Sequence, residues 1–105
     1  MHQARIREAV DCLANAVPEG SSVILFGSCA RGEANEGSDL DLLVIEPEVA
    51  DRAAETVRLS TLLGRLLIPA DVVVMSRANF ERQRGVPNTL AWRAAREGKA
   101  HEFVR

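Results

Sequence analysis

The chain has 105 residues, 47% of them hydrophobic and 27% charged, with a net charge of -2. That suits one soluble domain, 1–105, with one core and no room for a second. No apolar run approaches the roughly 20 residues of a membrane span. The opening "MHQARIREAVDCLANAV" lacks the continuous apolar stretch of a secretory signal, so a cytoplasmic protein without membrane contact is expected. Charge is unevenly spread: residues 1–76 hold six Arg against twelve Asp and Glu, whereas 77–105 hold six Arg and one Lys against three Glu. The two surfaces would meet within one molecule or face a charged partner, which leaves room for a homo- or hetero-oligomer. Overall acidity argues against direct nucleic-acid binding. Cys12 and Cys29 lack metal-type spacing and read as incidental or buried thiols.

Ile6, Val10, Leu13 and Val17 recur at helical spacing, and Pro18-Glu19-Gly20 ends that helix. "SVILFGS" reads as a strand stopped by Gly27, and "DLDLLVIE" as a second strand closed by Pro47. Residues 48–67 contain no proline. Ala50, Ala53, Ala54, Val57, Leu62, Leu63, Leu66 and Leu67 give them a broad apolar stripe. "ADVVVMS" after Pro69 is the third strand. The remainder reads as a short helix or turn, a break at Gly85–Pro87, and a helix from about residue 88 to 97. That last helix has Asn88 as N-cap and Gly98 as its stop, before a short extended tail. The result is an α/β (α+β) chain in the order αββαβα, a small mixed sheet flanked by helices.

Asp39 and Asp41 sit two apart in a strand, so they project to one face, with Leu43 and Ile45 continuing it inward. Two carboxylates about 4 Å apart repel by roughly 4 kcal/mol at an effective dielectric of ~20, a large share of a small domain's stability. Solvent exposure, protonation or a recruited cation each relieves that repulsion, and hard oxygen donors suit Mg²⁺. Asp71 opens the third strand as Asp39 opens the second, so neighbouring strands would bring three acids to one sheet edge. Three acids there resemble a two-metal phosphoryl-transfer site. A lone D-x-D is more often a solvated turn, and the same holds for Asp71 alone.

Strand one ends in Gly27-Ser28. Gly27 lets the backbone approach a ligand, and Ser28 offers a hydroxyl and a cap for a turn whose amides favour phosphate. Arg31, three residues on, would meet phosphate oxygens. Anion turn and acids together make the two halves of a metal–triphosphate site.

The stretch "GSCARGEANEGSDLDLLV" closely resembles the signature of the DNA polymerase beta-like nucleotidyltransferases: Gly-Ser, ten residues, then Asp-x-Asp. The "GS-x-ARG…SD-x-D-L-L-V" form, Asp71 with "VVV", and the ending "AAREGKAHEF" are similar to the minimal nucleotidyltransferases, so the resemblance spans nearly the whole chain. It implies the polymerase beta-like core and a Mg²⁺-dependent transfer, through two ions, of a nucleoside monophosphate from an NTP, ATP, to an acceptor hydroxyl. By position, Gly27 and Ser28 would hold the triphosphate, with Arg31 as a further phosphate contact. Asp39 and Asp41 would bind metal. Asp71 would bind the catalytic metal and help deprotonate the acceptor. Cys29 departs from the larger residue often found there, which bears on nucleotide access.

Minimal members are typically antitoxins paired with a helical HEPN ribonuclease toxin, and resemble AMP transferases acting on a tyrosine of that toxin. The chain contains no Tyr, so a tyrosine acceptor must lie on another chain. It also lacks the second domain that larger antibiotic or tRNA nucleotidyltransferases use. The competing expectation is a non-catalytic, nucleotide-binding antitoxin that neutralises its partner by contact. Phe80, Val86, Leu90, Trp92 and Phe103, interleaved with Arg82, Arg84, Arg93 and Arg96, would then form the interface. Equally, Leu90, Trp92 and Phe103 would close the protein's own core. His2 and His101 read as exposed terminal residues.

Overall fold

A computed structural model describes residues 3–26 and 40–102, with only the backbone described for Gln3 and for 99–102. Among the described residues the order is α1 (Gln3–Ala16), β1 (Ser22–Phe26), β2 (Leu40–Glu46), α2 (Arg52–Arg65), β3 (Ala70–Ser76), α3 (Arg77–Gln83), α4 (Leu90–Glu97) and β4 (Lys99–Glu102). The sheet runs β3-β2-β1-β4. β2 pairs with β3 in parallel, while β1 is antiparallel to both β2 and β4. The mixed sheet and the α/β order are therefore as expected, extended by a fourth strand where the sequence suggested only an extended tail.

Alternation along the strands divides the apolar residues between two cores. Val23, Leu25, Leu40, Leu42, Val44, Val72 and Val74 face α1 and α2, where Ala9, Leu13, Val17, Leu59 and Leu63 meet them. Ile24, Phe26, Leu43, Ile45 and Met75 face the other way, against Phe80, Ala91 and Ala94 of α3 and α4. Because both faces are covered, β1 and β2 are apolar almost throughout rather than alternating.

The helix after β2 begins later than residue 48. Asp51 caps it, accepting from the Ala54 amide, since the chain must first turn at Pro47. Its buried positions are Leu59 and Leu63 rather than the whole predicted stripe. Val57 and Leu66 lie in solvent, and Leu59, absent from that stripe, is fully enclosed. The C-terminus closes as a Schellman turn: Ile68 N–H donates to Leu63 C=O and Leu67 N–H to Gly64 C=O, with Leu67 left-handed at φ 57°.

Asn88 does not cap α4. It takes a left-handed φ of 71°, and Thr89 is the cap, its hydroxyl accepting from the Trp92 amide. Gly98 does end α4. A Cβ there would lie 2.1 Å from Ile24 Cγ2 and 2.5 Å from the Ala94 carbonyl oxygen, so only glycine lets α4 lie this close to β1.

Candidate active site

The parallel register between β2 and β3 sets Asp41 directly beside Asp71. Side chains level on adjacent parallel strands share a face, and theirs is the face of Leu43, Ile45 and Met75. The strands lie about 4.8 Å apart, so one hard cation would reach both carboxylates. A backbone bond fixes this level: Leu40 N–H donates to Pro69 C=O at 3.0 Å, joining the residues just ahead of the two acids. Asp41 is half-buried and Asp71 exposed, so the pair stands at the rim of the sheet.

On the other side of β2, Phe26, the last residue of β1, is registered against Asp41. β1 therefore delivers the chain to the acid edge, and β2 starts from it. Phe26 is buried on the acids' face and packs in the α3–α4 core, an apolar floor beneath the rim. The sequence marks Phe26 only as part of an apolar strand; its place under the acids comes from the register.

Of the predicted site residues, Asp41 and Asp71 are thus brought together. Gly27, Ser28, Arg31 and Asp39 lie outside the described residues, as does Cys29. Among the described residues no three His, Cys, Asp or Glu side chains gather as a metal site; of the three expected ligands, Asp41 and Asp71 stand side by side and Asp39 lies outside the described residues. Two carboxylates at an exposed edge fit Mg²⁺, which takes one or two carboxylates and keeps positions for phosphate and water.

The arginine-rich C-terminal third partly serves the fold. Arg77 donates to Gly20 C=O and Ser22 Oγ, tying α3 to the start of β1. Arg84 lies over the buried Phe80 ring, and Arg96 over the half-buried Trp92 ring at 4.9 Å. Phe80 and Leu90 belong to the protein's own core, whereas Val86 is exposed; Phe103 and His2 fall outside the described residues. No helix among the described residues is long and apolar enough to cross a membrane.

The nucleotidyltransferase domain family matches residues 6–96. A solved minimal nucleotidyltransferase is 32% identical, with a TM-score of 0.52, over 92% of this chain and 89% of its own. A chain of a toxin–antitoxin complex crystallised with AMP-PNP is 23% identical, with a TM-score of 0.65, over 95% of this chain and 72% of that one. A complex of a tri-AMPylated Shewanella oneidensis HEPN toxin with its MNT antitoxin gives 22% identity and a TM-score of 0.62, over 95% and 71%. No curated protein matches the sequence. With two acids level on parallel strands at the edge where β1 ends, and a family match from residue 6 to 96, the chain belongs to the nucleotidyltransferase family as a minimal member.

Proposed function

We propose that the protein transfers AMP from Mg²⁺-bound ATP to a tyrosine hydroxyl of a HEPN-type toxin and thereby acts as its antitoxin. The observation that carries this reading is the in-register pairing of Asp41 with Asp71. The two toxin–antitoxin complexes of similar fold support it, one holding AMP-PNP and the other an AMPylated HEPN toxin. The absence of Tyr from this chain agrees with an acceptor on a partner.

In the proposed reaction the acceptor oxygen attacks the α-phosphorus, the bond to the pyrophosphate oxygen breaks, and pyrophosphate leaves. Asp39, Asp41 and Asp71 would hold two Mg²⁺ ions, which when bound supply positive charge to the triphosphate and the attacking oxygen. Asp71, exposed on β3, would take up the acceptor's proton. Gly27, Ser28 and Arg31 would cradle the phosphates.

The test is incubation with labelled ATP, Mg²⁺ and the protein encoded by the adjacent gene. Label on a tyrosine of that partner, lost in Asp41→Ala and Asp71→Ala, is the expected result. Neutralisation of the partner without label, unaltered by both substitutions, overturns catalysis in favour of an antitoxin acting by contact.

A further inference from the structure

Glu46 ends β2 five residues after Asp41, which is roughly 16 Å further along the strand. It takes the opposite face, that of Leu42 and Val44. Its side chain is only 3% exposed, and among the described residues its Oε2 has no hydrogen-bond donor. Burial, together with the hydrogen bond and negative charge of Glu55, keeps the Glu46 carboxyl protonated, its pKa pushed up to about 8. Glu55 is held down at about 2, first by its hydrogen bonds from Arg58. Arg58 grips both Glu55 oxygens, at 2.8 and 2.7 Å, and donates to the Ala16 carbonyl at 2.8 Å. Its Nε and Nη2 donors are thus engaged with Glu55 and the end of α1.

Glu46 lines a cleft of about 600 Å³ between the end of α1 and the start of α2. The charged groups facing Glu46 are Glu48 and Asp51 from the loop, and Glu55 and Arg58 from α2; the α1 side contributes Ala16 and Val17, which do not titrate. Acids outnumber bases there, so an anion is disfavoured. The first-turn amide of Ala54 is already taken by Asp51. A metal ion is disfavoured as well, because both oxygens of Glu55 are already held by Arg58. Val17, Pro18 and Val49 supply an apolar wall, which suits an alkyl chain.

We propose that this cleft binds a primary alkylammonium group, with Glu46 Oε2 receiving the ammonium and the apolar wall seating the chain. Binding exchanges one cation for another. The O–H bond of the Glu46 carboxyl breaks, its proton passes to the solvent, and the carboxylate so formed accepts hydrogen bonds from the ammonium, which keeps its own charge. One proton therefore leaves for each amine bound, because the ammonium replaces the proton that now keeps the buried carboxyl neutral. The site lies on the other face of the sheet from Asp41 and Asp71 and stands independently of AMP transfer.

The experiment is calorimetric titration of the full chain at pH 7 with 1,4-diaminobutane, and in a second arm with N-acetyl-lysine amide. Each is run in phosphate and in MOPS, whose ionisation enthalpies differ. The expected result is nearly one proton released per amine, with affinity about tenfold or more lower in Glu46→Gln. The diamine alone binding marks a free amine as ligand; both binding marks a lysine side chain as well. Should Glu46→Gln fold poorly, the carboxyl ¹³C shift of Glu46 in the unaltered protein gives the same answer by moving to its ionised position as amine is added. No heat from either amine, equal binding by Glu46→Gln, or an unmoved Glu46 resonance overturns the proposal.

Discussion

The two ends of β2 treat the same functional group in opposite ways. At its start Asp41 stands half-buried beside the exposed Asp71, at the edge of the sheet. At its end Glu46 is buried at the back of the cleft between α1 and α2, and its charge is removed by a proton instead. Carboxylates at a sheet edge can be balanced by a cation from solution, whereas a buried one must be neutralised in place. Reaction and fold stability are therefore expected to separate along one seven-residue strand.

The largest effect expected from breaking this contrast is at the open end. Asp71→Asn should lower AMP transfer by about a thousandfold, the scale of a lost proton acceptor. Because Asp71 is exposed, stability should stay within about 0.5 kcal/mol. Single-turnover transfer of label, alongside urea denaturation, checks both. Transfer that survives the substitution would remove this edge as the reacting site.

At the closed end the expected signature is in stability and pH. Between about 4.5 and about 8 the folded chain keeps a proton on Glu46 that the unfolded chain has released, so stability falls as pH rises across that window. Glu55 has the opposite sign: its contribution is complete above about 4.5 and fades as pH falls towards about 2. Glu46→Gln should abolish the decline on the alkaline side, a difference on the order of 2 kcal/mol between mildly acidic pH and pH 8. Urea denaturation of both proteins across that range measures it; parallel curves would mean that Glu46 carries no buried proton.

A smaller effect is expected from Arg58→Ala. The pair with Glu55 has good two-pronged geometry, but Arg58 is 46% exposed, so solvent screening leaves about 1 kcal/mol for the lost pair and the bond to Ala16. The Glu55 pKa should rise, which moves the acid limb of the stability profile to higher pH. Denaturation midpoints at two salt concentrations test it, since the screened part of the loss should shrink in high salt.

How much of this contrast was visible in the sequence differs between its two ends. β-branched runs bounded by Gly and Pro located all three main strands, and acids near the starts of two of them pointed to a shared edge, where the register sets Asp41 beside Asp71 while Asp39 lies outside the described residues. Glu46 carried a usable signal too: it follows Leu42 and Val44 at period two, so it falls on a buried face. Its partners Glu55 and Arg58 belong to the next helix, and only the packing of α2 on β2 brings them to it. The apolar stripe of α2 misjudged its phase for a related reason. Ala and Val at its start resemble core residues, yet the sheet covers only the face of Leu59 and Leu63. β4 was illegible because "KAHE" has no strand pattern; it is a strand through its pairing with the apolar edge of β1.

The smallest predicted effect returns to the open end and asks how rigidly Asp71 is presented. Leu67 takes the left-handed cap conformation that usually selects glycine, and its side chain is 81% exposed, so neither conformation nor burial explains a leucine there. Arg5 donates to the Leu66 and Leu67 carbonyls and anchors α1 to this cap, four residues before Asp71. Leu67→Gly should relieve left-handed strain of about 1 kcal/mol, partly offset by the freer unfolded chain, for a net gain of a few tenths of a kcal/mol. Since the Schellman bonds and the Arg5 contacts are made by backbone, Asp71 should stay level with Asp41 and transfer activity should be unchanged. A thermal melt and a rate measurement on the one variant decide it. Higher stability with slower transfer would show that the exposed Leu67 side chain contributes to the reaction, and would extend the open end of the molecule from the two acids to the cap that leads into β3.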